Sequence, residues 1–148
     1  PSNILAAPEV GAIPYYSGWK TIDLLGLNDE WLARHGVARI NYLGRIQYVD
    51  TEYVLGRKPT VVILLSDSPS QVSGFEWNVL FQDSRMEQYE RLGVLRITVG
   101  RSYWYHVFAR KDYDRIDPFR SAIADLSIAL DSLGEGQGPP GASLATQE

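Results

Sequence analysis

Two β-rich runs, residues 92–99 and 103–109, are separated only by Gly100-Arg101-Ser102. Three residues can close a hairpin, whereas a parallel crossover needs a dozen or more. This region is therefore antiparallel, which disfavours a strictly parallel doubly wound sheet. Upstream, residues 60–65 are continuously apolar and β-branched, the pattern of a strand buried on both faces. Residues 4–7 and 21–25 read as further short strands, the second ending at Gly26. The expected fold class is α/β: a single domain, mixed β-sheet with flanking helices and a late antiparallel hairpin.

Helix signals lie between these strands. Asn28 or Asp29 can cap a helix over 30–34 that stops near Gly36. Asp50 can cap a second over 50–55, with Glu52 suited to its start, Arg57 and Lys58 to its end, and Pro59 beyond. Residues 8–18 are rich in Gly, Pro and Tyr, and Pro14 forbids a central ladder position. That segment reads as a loop or a sheet edge. Residues 66–74 read as a loop, and 75–90 as a short strand followed by a helix around 86–89. Asp117-Pro118 places a cap before a proline at the first helical position. Phe119, Ile123, Leu126, Leu130 and Leu133 then follow as one apolar stripe, so Leu126 is expected buried and Ser127 off the stripe. The domain is expected to span 1–133, with 134–148, rich in Gly, Pro and Ser, as a disordered tail.

The 148 residues fit one domain with a core of its own. Hydrophobic residues make up 45% and charged residues 22%, so the fold needs no staple. There is no cysteine, which excludes thiolate catalysis, cysteine-type zinc sites and disulfides. A net charge of −4, with no run of Lys or Arg, argues against a nucleic-acid partner. The chain opens at Pro1, not Met, with no signal-peptide pattern, which suggests a processed or excised segment. The longest apolar runs, such as 61–65, fall far short of the roughly 18–20 residues that cross a bilayer.

No dinucleotide loop, phosphate loop, GxSxG elbow or HExxH helix occurs, so no cofactor and no metal are expected. The two histidines, His35 and His106, stand apart, and a lone strand histidine such as His106 reads as structural or solvated. Among the carboxylates Glu9, Asp23, Asp29, Asp50, Glu52, Asp67 and Glu76, a pair about 5–9 Å apart would suit glycoside hydrolysis. The plainer reading makes Asp29 and Asp50 caps and the others surface groups. The most unusual stretch is Glu9-Val-Gly-Ala-Ile-Pro-Tyr-Tyr-Ser-Gly18, followed by Thr21-Ile-Asp-Leu-Leu-Gly-Leu-Asn-Asp29. Paired tyrosines on a stiff Pro/Gly backbone suit stacking on a sugar ring, and Asp and Asn nearby can bond its hydroxyls. Equally, the rings can plug the sheet edge. In an extended segment Tyr15 and Tyr16 would point to opposite sides. The candidate substrate-binding residues are Tyr15, Tyr16, Asp23, Asn28 and Asp29.

That stretch, continued by Leu32-Ala33-Arg34, resembles the C-terminal extracytoplasmic domain of bacterial membrane-embedded C-type glycosyltransferases, the arabinofuranosyl- and mannosyltransferase-like proteins. Residues 53–64, YVLGRKPTVVIL, and the aromatic segment 103–110 resemble later parts of the same domain. The resemblance covers roughly residues 4–112. It departs where Gly44 is followed by Arg45-Ile46-Gln47 in place of a Gly-His-Glu-like step. In the family the catalytic acid lies in the membrane portion, so the resemblance implies an accessory, non-catalytic domain. It also implies a location on the periplasmic face of the inner membrane. The implied partners are a glycan or lipid-linked sugar and the protein's own transmembrane region. A free-standing carbohydrate-binding or protein-interaction domain is the alternative, and a small hydrolase using a carboxylate pair is a third reading.

Overall fold

A computed structural model describes residues 3–8, 10–40, 46–73, 78–99 and 101–135. Five strands form one mixed sheet in the order β2-β1-β5-β7-β6. Strand β1 (Ile4–Ala7) runs parallel to β2 (Lys20–Asp23) on one side and to β5 (Val61–Ser66) on the other. Strand β5 pairs antiparallel with β7 (Arg101–Arg110), and β7 with β6 (Tyr89–Val99). The α/β reading with a mixed sheet and a late hairpin therefore holds. Strand β5 lies between neighbours on both edges, and most of its side chains are buried, as its β-branched run dictates.

A small second sheet was not legible in the sequence. Strands β3 (Val37–Ile40) and β4 (Ile46–Val49) pair antiparallel, Val37 opposite Val49. Four-residue strands of mixed polarity give too short a period to read. Flanking this hairpin, helix α2 (Glu30–His35) and helix α3 (Thr51–Gly56) form as their caps predict: Asp29 Oδ1 accepts from Leu32 N, and Asp50 Oδ1 from Tyr53 N. Residues 78–88 hold a short helix α4 (Asn78–Phe81) and a 3-10 turn (Ser84–Gln88) where a strand and a helix are expected, and residues 74–77 lie outside the described residues.

The sheet has a core on each face. One unites Ile22, Leu24, Leu32, Val54, Leu55, Leu64, Leu80 and Phe108. The other joins Leu5, Ala7, Val61, Val107, Ala109 and Ile123, with Phe119 and Trp19 packed beside them. The second is closed by helix α5 (Ile116–Glu135). This helix starts at Ile116, so Asp117 is not its cap. Pro118 falls third, still in the first turn, where a missing N–H costs nothing. Helix α5 also runs through Gly134 and Glu135, which the sequence assigns to the tail, and residues 136–148 lie outside the described residues.

The stripe that α5 turns inward keeps Phe119 and Ile123 of the expected one but not Leu126. Ile123 is buried, but Leu126 is 45% exposed. Ser127 faces the sheet instead, and its hydroxyl donates to the Val94 carbonyl at 3.1 Å. The cause is on β6. A Cβ on Gly93 would come 2.7 Å from Ile123 Cγ2, so only glycine lets the helix seat there. A register shift between Arg91 and Gly93 sets that notch. We expect Gly93→Ala to cost about 1–3 kcal/mol by overpacking. Urea denaturation checks it, and in an Ile123→Ala background the added cost should nearly vanish.

Among the described residues, no helix is long and apolar enough to cross a membrane.

Candidate functional site

The segment 11–18 is not extended. It forms helix α1 (Ala12–Ser17), ended by Gly18 at φ 65°, a left-handed position that glycine takes without strain. Pro14 is tolerated because it lies in the first turn, where its missing N–H is not needed. The expected alternation of Tyr15 and Tyr16 is therefore overturned. Neighbours on a helix differ by about 100°, and both rings face outward here, 80% and 83% exposed. They meet edge to face with centroids 5.1 Å apart.

Asp23, Asn28 and Asp29 gather at the other end of β2. Asp23 closes that strand at 2% exposure. Its Oδ1 accepts from Leu25 N at 2.9 Å, and its Oδ2 from Asn28 N at 2.7 Å and Asn28 Nδ2 at 3.3 Å. These bonds tie the turn through Gly26, at φ 69°, to the sheet. Asp29 caps α2 and also accepts from Tyr53 Oη, 2.9 Å from each carboxylate oxygen. Burial and then the bond to Asp29 raise the Tyr53 phenol above its usual range. Of the five candidate residues, the structure brings these three together as turn and cap, and the two tyrosines stand exposed on α1. Asp23 and Asp29 spend their oxygens on backbone, Asn28 and Tyr53 donors, which leaves little for acid–base chemistry on a glycosidic bond.

The Asp29–Tyr53 bond leads to a feature that the sequence did not single out. His35, Trp31 and Tyr53 stack in succession, with centroids 4.1 Å and 5.5 Å apart and interplanar angles of 25° and 4°. The Arg57 guanidinium carbon sits 3.5 Å from the Tyr53 centroid. Trp31 Nε1 also donates to Asp50 Oδ2 at 3.4 Å, so each of α2 and α3 holds the other's cap. Only the Trp31/His35 spacing of four was visible in the sequence. The rest depends on bringing residues about twenty positions apart into contact.

Beside this stack lies an open pocket of about 330 Å³, lined by His35, Val37, Val49, Asp50, Thr51 and Val79. No cluster of three metal-ligating side chains occurs among the described residues.

His106 is structural, as its lone position suggests. It is fully buried on β7. Its Nε2 lies 2.8 Å from the Ser68 carbonyl, which can only accept, so Nε2 carries the proton. Nδ1 then turns its lone pair to Arg91, whose guanidinium stands 3.5 Å away and also donates to the Ser70 carbonyl. Burial, and then the Arg91 charge, press the imidazole below its usual value, against the pull of the Ser68 bond. A depressed folded pKa means that the unfolded chain binds the proton more readily. The stability from this group is therefore complete above about pH 6.5, the unfolded value, and is lost as the pH falls below it toward the folded pKa. Denaturation midpoints between pH 8 and pH 5 should fall on this account, and His106→Gln, which keeps a donor for Ser68, should flatten the slope.

Residues 1–108 match the family model described as a domain of unknown function, DUF8728. The chain belongs to this family. The DUF8728 match takes in α1, the Asp23–Asp29 turn and the pocket, and stops within β7, before α5. No curated protein and no solved structure matches the chain.

Proposed function

We propose that this chain is an extracytoplasmic accessory domain of a membrane glycosyltransferase acting on cell-envelope glycans, and that it positions an acceptor or braces the membrane part. The observation that carries this reading is the tyrosine pair on α1. Two adjacent rings, both about four-fifths exposed, offer flat apolar surface that the core does not use. Such rings suit the C–H face of a sugar or the headgroup level of a membrane. The motif resemblance over residues 4–112 supplies the transferase context. On this reading the lipid-linked donor and the catalytic acid belong to the membrane portion, and this chain transfers nothing by itself.

Nuclear magnetic resonance titration with short arabinan and mannan oligosaccharides tests the reading. Shifts should appear at the amides of residues 11–18, with affinity near 1 mM, about 4 kcal/mol. Absence of any such shift contradicts it, as does transfer from a polyprenyl-phosphate sugar catalysed by this chain alone.

A second reading, a protein-interaction domain without a transferase, draws on the outer face of α5. There Leu126 and Ile128 stand exposed with no core to cover them.

A further inference from the structure

We infer that the pocket between α2, the β3–β4 hairpin, α3 and α4 is a binding site for a single sugar ring. Helix α1 contributes nothing to its lining, so the inference stands whether or not the tyrosine pair contacts a glycan. The lining divides by chemistry. Val37, Val49 and Val79 give an apolar wall, and His35, Asp50 and Thr51 give polar groups. At about 330 Å³ the space lies at the small end of ligand sites, enough for one ring and too little for an oligosaccharide.

The polar groups are chiefly acceptors. His35 Nδ1 lies 3.1 Å from the Trp31 carbonyl, which cannot donate, so Nδ1 carries a proton and, in the neutral ring, Nε2 keeps its lone pair. A carboxylate offers about four acceptor positions. Among the described residues two on Asp50 are occupied, by Tyr53 N at 2.9 Å and Trp31 Nε1 at 3.4 Å. Thr51 adds a hydroxyl that both donates and accepts. A ligand that answers this set brings several O–H donors on one edge and an apolar C–H face on the other. A pyranose or furanose has that division, whereas an anion would meet the Asp50 charge and a purely apolar ligand would strand it.

The acceptors are also held in place before any ligand arrives. The His35 ring is fixed by its bond to Trp31 and by stacking on the indole at 4.1 Å. Asp50 is fixed from two elements, α2 and α3. Groups already ordered lose little freedom on binding. Trp31 and Tyr53 stack on one another, on His35 and on Arg57, and neither lines the pocket. Contact with the sugar therefore rests on the valine wall, and affinity should be low, on the order of 1 mM.

The full chain is titrated with D-mannose, D-arabinose and, as an acyclic control, glycerol, while amide shifts are recorded. Saturable shifts by a ring sugar at Gly36, Val37, Val49, Asp50, Thr51 and Val79, and none by glycerol, are expected. Thr51→Val keeps the shape of the wall and should weaken binding about tenfold, as should His35→Phe, which keeps the stack but removes the lone pair. Melting temperature and the unliganded spectrum confirm that both variants fold, and should Thr51→Val disturb α3, His35→Phe decides alone. Shifts confined to residues 11–18 overturn this site while leaving the tyrosine surface standing. Shifts in the pocket alone do the reverse. No saturable shift at either place, or variants that fold and bind like the parent, overturns the pocket.

Discussion

Ile123→Ala should be among the most damaging single changes in α5, costing about 2–5 kcal/mol, while Leu126→Ala should cost under about 1 kcal/mol. Ile123 is 7% exposed and occupies the notch that Gly93 opens on β6. Truncating it removes three carbons from a site whose floor is backbone, and backbone cannot collapse to refill the space. Leu126 already stands largely in solvent, so its removal leaves no cavity. Urea denaturation of the two variants should show a large shift in midpoint for the first and a small one for the second, with similar slopes. Equal losses would mean that α5 turns a different face to the sheet.

Asp23→Ala should be nearly as costly, about 2–4 kcal/mol. The carboxylate is buried and accepts from two backbone N–H groups, Leu25 and Asn28, besides the Asn28 side chain. Removing it takes the acceptor from three part-buried donors, and a donor left unmade costs at most about 1–3 kcal/mol. Asp23→Asn should fall between, because one amide oxygen can still serve Leu25 while the new NH2 confronts the Asn28 donors. A melting temperature unchanged in Asp23→Ala, together with loss of glycan shifts, would contradict this and would make Asp23 a ligand contact.

What the sequence conveyed depended on how local each cause is. The run 60–65 and the pair of runs around Gly100 carry their burial and pairing in their own composition, and β5, β6 and β7 followed. Asp29 and Asp50 were readable because a cap acts over three residues. Helix α1 was not readable. It has six residues, Pro14 among them, and is apolar or aromatic at every position but Ser17, so neither period nor propensity announced it. The α5 stripe held at Phe119 and Ile123 but failed at Leu126, because an apolar period does not say where the partner strand lacks a side chain. That information sits on Gly93, thirty positions away from Ile123. Of the candidate site, the cap role of Asp29 was legible, whereas the turn that joins Asp23 to Asn28 needed the folded chain. The stack of His35, Trp31 and Tyr53, and the pocket beside it, needed the α2–α3 contact that Asp29 and Asp50 make from both sides.

On the proposed reading the Asp23–Asp29 turn is scaffold and α1 carries the function, and the double substitution Tyr15→Ala/Tyr16→Ala tests that division most directly. Both rings are exposed and touch chiefly one another, so their loss should lower the melting temperature by no more than about 2 °C, the scale of an ordinary surface change. In the same variant the oligosaccharide-induced shifts at residues 11–18 should disappear. A fall of many degrees would make the tyrosines structural, and unchanged glycan shifts in a well-folded variant would remove α1 from the functional surface.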